Sequence, residues 1–555
     1  MSERREEASP PGRFVLSIAD FGALGDGQKK NTEAIQRAID ACAEGGGGTV
    51  FLPAGRFLTG AIRLRSDITL YLDAGATILF SQDFDDYPTV RTRSGAGEHY
   101  AYCPLLYGCD LSNIAVTGRG VIDGQGGSWW TFARTFYRDL GNRLENVQQD
   151  LPVRKRLEEF ARLNAEFDWR GGDRRWIHEF QRPPLVRLQN CTNVYLSGNT
   201  HQNSPCWNTH LIYCDNVCVD GVTFLNPHEA LNGDGLDVDS CTNVRVSDCY
   251  FKVKDDCLCL KSGRDEEGRS EGRPTENITI TNCVMKSGHG SVVMGSEMSG
   301  GIRRVAISNC VFDGVPMGIR IKTNRKRGGA VEDILVTNIM MTDVIFPFIM
   351  HAYYGTGSTP EERPLFMENL QPVTETTPIL RNFRLSNITV RGAKAAAAYI
   401  HGLPEMPVSG ISFTNVSIEM TDDPEEEGTY PSPPLDNHRM AGEGIFLKYA
   451  RDISFRDVTI TTRQGASLFA KNVESIHVVG VKTTKRQEEA PLLDFENVTG
   501  ALVDQCGFVG GASPLLRVSG SSSQQILVET PGTRAADAVL IEKEVSSDAV
   551  MGKGR

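Results

Sequence analysis

A short segment that alternates β-branched residues recurs along most of this chain and limits what it can fold into. The six clearest copies begin 23 to 34 residues apart, at Asn193, Asn216, Asn243, Asn277, Arg304 and Asp333. Weaker copies begin near Asn382, Gly410, Asp452, Ser475, Gly500 and Gln525. The interval is too short for a βαβ unit repeated many times, whereas it fits one turn of a solenoid of short stacked strands. We therefore predict an all-β fold, a right-handed parallel β-helix.

Cysteines follow the same register. Four of the 14 cysteines lie six places after the start of a repeat, and two lie two places before one: Cys249, Cys283, Cys310, Cys506, Cys214 and Cys241. Equivalent positions on stacked coils predict ladders of small, buried thiols in the interior of the solenoid. The spacing of Cys257-Leu-Cys259 is not that of a zinc ligand pair, so we predict no metal.

Composition narrows the class of protein. Glycine, at 56 residues, exceeds the usual ~7%, and we expect it at the turns of the coils, where positive φ is needed. The net charge of 58 − 70 = −12 disfavours nucleic acid and anionic membranes as partners. No run of ~18 apolar residues is present, so no membrane span is expected. The N-terminus lacks the apolar stretch of a secretory signal, so we expect a cytoplasmic protein with reduced thiols.

Two regions depart from the repeat. At about 17–80 a glycine-rich turn, a helix and a strand suggest a cap over one end of the solenoid. Asn31 or Thr32 is expected to cap the helix, whose apolar residues have helical spacing: Ala34, Ile35, Ala38, Ile39 and Cys42. Neither GxGxxG nor GxxxxGK[ST] occurs there, so it is not a phosphate loop.

The second departure, at about 130–182, is rich in arginine and aromatic residues. Helically spaced Leu157, Phe160, Ala161 and Phe167 predict a partly helical insertion that lines the binding face. We predict a disordered tail at 1–12, one β-helix domain over 13–540 and a C-terminal tail at 541–555.

Four polar motifs stand out against the repeat, about one coil apart. They are NGDG at 232–235, Asp255-Asp256, GHG at 288–290 and RIK at 320–322. Asp255 and His289 each lie twelve places after a repeat start, so we expect them on adjacent coils, about 4.8 Å apart. The four motifs should form one strip of surface.

Such a strip has the residues for acid/base hydrolysis of an anionic sugar. Adjacent Asp255 and Asp256 repel each other, so one of them should have a raised pKa and keep a proton. Arg320 and Lys322 share a face of their strand and could bind a carboxylate. Taken singly, an Asp-Asp pair is usually a solvated turn, His289 a turn residue, and NGDGLDVDS lacks the order of a calcium loop. Their combination in register is what indicates a site.

In these motifs the chain resembles glycoside hydrolase family 28, the polygalacturonases. The resemblance extends over about 17–530 and includes FGALGDG near the front and NSPCWN at 203–208. It implies hydrolysis of α-1,4 bonds between galacturonic acids in pectin, with inversion and without a cofactor. It makes Asp255 the general acid, while Asp234 and Asp256 activate water. Both neighbours can serve only if they lie in a turn or bulge.

The resemblance also implies substrate contacts. His289 would tune the acid, Arg320 and Lys322 would bind the substrate carboxylate, and Asn232 would contact the sugar. A tyrosine is also implied, for which Tyr353 and Tyr354 are both candidates. Gly233 replaces the usual threonine of the first motif, but the acid remains. Intact GHG and RIK favour a galacturonate at the cleaved bond over rhamnogalacturonan.

We expect exo action on oligogalacturonides or pectin fragments. The insertion and an irregular stretch at 345–378 could wall off one end of the groove, and Arg170, Arg174 and Arg175 could add cations. The alternatives are hydrolysis of a decorated pectin (rhamnogalacturonan or xylogalacturonan), a calcium-dependent pectate lyase, and a non-catalytic carbohydrate-binding solenoid.

Overall fold

The computed structural model describes residues 14–94, 97–138, 152–165, 182–355, 360–423, 439–485, 490–508, 514–529 and 539–552. The predicted tail at 1–12 lies outside these residues, as do Phe167, Arg170, Arg174 and Arg175 of the predicted insertion. None of the described helices is long and apolar enough to cross a membrane.

Short parallel strands dominate the structure, and the fold is the predicted right-handed parallel β-helix. Most strands pair with a strand that lies one coil further along the chain, whereas Thr89–Ser94 and Gly97–Tyr102 form a separate two-stranded sheet. For example, Thr275–Thr281 pairs with Ile302–Asp313, with Ile278 opposite Val305 and Ile280 opposite Ile307. Alternate residues point inward, so the stacked Ile and Val side chains form the core.

Contacts divide the chain into two units, whose described residues fall within Met1–Thr92, His99–Thr209 and Cys214–Thr223 for the first, and within Arg93–Glu98, His210–Tyr213 and Phe224–Arg555 for the second. The strands up to residue 225 are Phe14–Ser17, Gly48–Leu52, Gly55–Thr59, Ile62–Arg63, Ile68–Leu72, Ala76–Phe80, Thr89–Ser94, Gly97–Tyr102, Leu106–Cys109, Ser112–Gly118, Val121–Asp123, Val186–Gln189, Thr192–Ser197, Thr200–Gln202, Thr209–Ile212, Asp215–Asp220 and Thr223–Leu225.

The remaining strands belong to the second unit. They are Leu236–Asp239, Thr242–Ser247, Tyr250–Lys252, Leu258–Lys261, Thr275–Thr281, Val284–Lys286, Gly290–Gly295, Ile302–Asp313, Met317–Lys322, Ala330–Thr342, Phe346–His351, Ile379–Ala393, Ala396–His401, Val408–Met420, Glu443–Thr462, Leu468–Val479, Lys482–Lys485, Leu493–Asp504, Gly507–Phe508, Leu516–Ser519, Gln524–Glu529, Val539–Ile541 and Val550–Gly552. The last of these pairs with Gln524–Glu529, so strand pairing continues into the predicted tail at 541–555.

The described residues form few helices. Their α-helices are Thr32–Glu44, Gly127–Arg138, Pro152–Leu163 and Asp265–Glu271, and their 3-10 helices are Ile18–Phe21, Phe84–Asp86 and Pro360–Phe366. The first α-helix is the predicted cap helix, and its five apolar residues are all buried. Asn31 occupies the N-cap position, but its side chain accepts the Leu24 N–H (2.8 Å) instead of capping the helix. The predicted helix in the insertion is Pro152–Leu163, with Leu157 and Phe160 buried.

The repeat starts are the corners of the coils. All six clear starts have positive φ, between 53° and 60°, although none of them is glycine. Asn side chains offset the strain of this conformation by bonding from coil to coil, as in the bond from Asn277 Nδ2 to Asn243 Oδ1 (3.0 Å). Glycine takes the position at Gly410 and Gly500. The expectation that glycine makes the corners is therefore correct for only some of the coils.

The six cysteines that follow the repeat register are buried, as predicted, and all fourteen are free thiols. Within the ladder, Cys249, Cys283 and Cys310 each donate to a backbone carbonyl oxygen two residues earlier (3.1 to 3.3 Å). The prediction of an irregular stretch at 345–378 is wrong at its start, because Phe346–His351 is a buried strand.

Candidate active site

Four neighbouring strands of the second unit bring the four motifs together. Leu236 lies opposite Leu258, Leu258 opposite Val292, and Val292 opposite Ile319. The motifs at 232–235, 255–256 and 288–290 therefore meet just before their strands, while RIK lies within its strand. Backbone bonds confirm the predicted adjacency, since the His289 N–H donates to the Asp255 carbonyl oxygen (2.9 Å).

Asp255 and Asp256 lie in the bend that precedes Leu258–Lys261, as their joint use requires. The Asp256 N–H donates to Asp255 Oδ1 at 3.0 Å. The two side chains differ in exposure, because Asp255 retains 29% of its side-chain surface and Asp256 only 1%. Two adjacent carboxyls thus sit in different electrostatic environments, which is what separate chemical roles require.

Cations surround the buried Asp256. Lys322 Nζ lies 2.8 Å from Asp256 Oδ2, and Arg320 Nη1 lies 3.9 Å from Oδ1. Burial would raise the pKa of Asp256, but Lys322 and Arg320 outweigh it and lower that pKa to about 2. Asp256 is therefore a carboxylate at neutral pH.

Asp234 has the opposite electrostatic balance. It is buried, and that burial, together with Asp255, Asp237 and Asp256, raises its pKa well above the ordinary value. The sequence predicts the retained proton within the Asp255–Asp256 pair. The raised pKa falls on Asp234 instead, because the cations of RIK offset the repulsion at Asp256 and do not offset it at Asp234.

His289 lies between the acids and the cations. Its Nδ1 is 3.7 Å from Asp255 Oδ1 and accepts a hydrogen bond from Arg320 Nη1 at 3.1 Å. Burial, opposed by Asp256 and aided by Arg320, lowers the pKa of His289 below 6.5. A neutral ring with Nδ1 as acceptor matches this geometry.

The two candidate tyrosines have different surroundings. The ring of Tyr354 lies near Arg320 and Lys322, 5.7 Å and 5.4 Å from their charged groups. Tyr353 is buried, with its ring 4.5 Å from that of His401. Only Tyr354 of the two therefore lines the cluster. Asn232 is exposed in the turn before Asp234, with φ of 49°.

This difference gives a prediction. Tyr353→Ala should destabilise the fold by about 3–5 kcal/mol, because it empties a buried aromatic site. Tyr354→Ala should cost under ~1 kcal/mol in stability and instead raise KM. Thermal unfolding and steady-state kinetics of both variants check this. Equal losses of stability would contradict the assignment.

A buried charged group beside the motifs was not predicted from the sequence. Lys261 Nζ lies 3.6 Å from Asp237 Oδ1 and 3.2 Å from Glu297 Oε2. Burial raises the pKa of Asp237 to about 7, and the opposing effect of Lys261 only partly offsets that rise. A signal was available, since Asp237 and Asp239 alternate on their strand as Arg320 and Lys322 do on theirs.

A metal fits this site poorly. Asp255, Asp256 and His289 have ligand atoms within 4.8 Å of one another, as a cation site requires. Lys322 and Arg320 contact the same groups, however, and their charges repel a divalent cation. Calcium also takes six to eight oxygen ligands, more than these residues supply.

Comparison with known proteins gives matching families and relatives. A family model described as Glycosyl hydrolases family 28 matches residues 169–432, and one described as Rhamnogalacturonase A/epimerase, pectate lyase-like matches residues 15–150. The chain is 34% identical over 414 residues to a probable polygalacturonase of Vitis vinifera, covering 73% of this chain and 74% of the relative. It is 31% identical over 340 residues to an exo-poly-alpha-D-galacturonosidase of Dickeya chrysanthemi, covering 60% of this chain and 55% of that protein.

The fold has solved relatives as well. The crystal structure of a hyperthermoactive exopolygalacturonase from Thermotoga maritima superposes with a TM-score of 0.64 at 28% identity, covering 81% of this chain and 93% of that one. The β-helix, the clustered motifs and these matches lead to one conclusion: the chain is a member of glycosyl hydrolase family 28, the polygalacturonase family.

Proposed function

We propose that this chain hydrolyses α-1,4-linked galacturonic acid in pectin-derived oligogalacturonides, by an inverting mechanism and from one chain end. The observation that carries the proposal is the placement of two cations, Arg320 and Lys322, against Asp256 of the DD motif, at 3.9 and 2.8 Å. A neutral sugar would not need those cations, whereas a uronate carboxylate would be held by them.

Each acid has a role that suits its surroundings. Asp256, ionised beside Lys322, accepts the proton of the attacking water. Asp234 lies on the neighbouring coil and holds that water with it. Asp255, the more exposed of the adjacent pair, donates a proton to the leaving oxygen. His289, neutral and bonded to Arg320 through its ring, helps to position the acid through its backbone N–H, which donates to the Asp255 carbonyl oxygen.

The proposal of exo action is supported by the coils that follow Lys322, where the face that carries the site is obstructed. His351 and His401 hold the register position of Lys322 on the next two coils, and both are buried. The Tyr353 ring lies 4.5 Å from that of His401, and the Glu368 carboxylate lies 3.1 Å from His401 Nε2, so these two side chains narrow the face beyond Tyr354. Two of the relatives named above are exo-acting by name.

Product analysis on oligogalacturonides of defined length tests this function. We expect galacturonate from the earliest time points, reducing ends without near-ultraviolet absorbance, and β-anomeric product first in an NMR time course. Activity should persist in a chelator, since the cations of the site are side chains. Mid-length products with little early monomer would contradict exo action, and absorbance lost on chelation would establish a lyase.

We also propose a cytoplasmic location, which the fourteen free cysteines support, because thiols persist in reducing compartments. Cell fractionation tests it, and recovery of the protein outside the cell would contradict it.

A further inference from the structure

A second group of basic side chains lies in strand register with Lys322, one residue on each coil, and so forms a row with it. In the strand register, Lys322 is opposite His351, His351 is opposite His401, and His401 is opposite Lys448. Residues in register on stacked strands point to the same side of the sheet. At about 4.8 Å per coil, Lys448 is about 14 Å from Lys322, which is a span of a few sugar units.

A carboxylate of the protein itself occupies the far end of this row. Glu368 Oε1 lies 3.1 Å from His401 Nε2, and its Oε2 pairs with Lys448 Nζ. Burial of Glu368 is outweighed by His401 and Lys448, which lower its pKa to about 2. The Glu368 side chain retains 29% of its surface, so solvent reaches this site.

The segment that carries Glu368 is anchored by other contacts. Arg325 donates to the carbonyl oxygens of Leu365, Met367 and Asn369 at 2.9, 2.7 and 3.1 Å. Arg325 itself is fixed by a buried ion pair with Glu405, and Lys326 pairs with Glu362. Phe366 is buried as well. Glu368 is therefore not needed to hold the segment in place.

We propose that Lys448 and His401 form a second carboxylate-binding subsite for a uronic-acid residue of a longer substrate, and that Glu368 is its internal competitor. The inference rests on the proposed function, since it takes the ligand to be an oligogalacturonide. A sugar carboxylate presents the same two oxygens as Glu368 and would make the same charge-assisted bonds. While Glu368 occupies the subsite, the sugar units of a long substrate that reach it add nothing to the affinity.

Kinetics on galacturonides of two to eight units test the subsite with matched variants. Glu368→Ala should lower KM about tenfold for the longer oligomers, the scale of one hydrogen bond to a charged group, and leave the dimer unchanged. Glu362→Ala is the control, because it removes an ion pair of the same segment away from the row. The double variant Glu368→Ala with Lys448→Met should lose the gain.

Three results would overturn the proposal: a gain that is equal for the dimer, a gain that appears in Glu362→Ala, or a gain that survives Lys448→Met. If the chain does not cleave galacturonides, the proposed function fails, and calorimetry with the same oligomers still tests the subsite. Tighter binding of long oligomers by Glu368→Ala than by the unsubstituted chain would then support the subsite, and equal binding would overturn it.

Discussion

Asp255→Asn is expected to lower kcat on oligogalacturonides by about 10²–10⁴-fold, the contribution of one positioned general acid. The amide cannot protonate the leaving oxygen, while it keeps the size of the side chain and can still accept the Asp256 N–H bond. KM should change little, because the cations that bind the carboxylate are untouched. Steady-state kinetics check both parameters.

A control and a second substrate make this result specific. Asp248→Asn changes an exposed carboxyl at a corner of the same coil, where Asn also tolerates positive φ, and should leave kcat unchanged. On a galacturonide whose leaving group needs no proton, Asp255→Asn should recover most of its rate, whereas Asp256→Asn should not. Unchanged turnover in Asp255→Asn would refute the assignment and favour a non-catalytic solenoid.

Lys322→Met is expected to lower kcat/KM by about 10²–10³-fold and to shift the pH profile. Removing one partner of a buried, hydrogen-bonded charge pair costs about 2–5 kcal/mol. Burial then dominates at Asp256, and its pKa rises from about 2 to above the ordinary value of 3.8. Because the base must be ionised, the acidic limb of the kcat/KM profile moves to higher pH.

The lowered pKa of Asp256 also makes the stability of the fold depend on pH. With Lys322 present, the pKa of Asp256 is lower in the folded chain than in the unfolded one. This carboxylate therefore stabilises the fold above about pH 4, and its contribution is lost as pH falls toward 2. Lys322→Met should lose that contribution, which urea titrations at several pH values measure. Lys286→Met, which breaks a half-exposed pair with Asp313 (2.9 Å), is the control and should shift neither profile. An unshifted acidic limb in Lys322→Met would show that Asp256 is not the base.

The recurring segment determined the fold by itself, because alternation fixes which side chains enter the core and the interval fixes the length of a coil. The same register placed Asp255 beside His289 and predicted the buried thiols. It could not assign the corners to Asn or Gly, because both adopt positive φ and the choice depends on a partner side chain one coil away.

The protonation states of the acids depend on the tertiary structure. Asp255 and Asp256 are equivalent in sequence, but only the fold buries Asp256 against Lys322 and buries Asp234 among other carboxyls, and pKa values respond to those distances and that burial. Tertiary structure also decided that Tyr354 and not Tyr353 lines the cluster, and that Glu368 pairs with His401 and Lys448. Register along a repeat can be counted from the sequence, whereas contacts made by irregular segments between the coils depend on where the chain folds back.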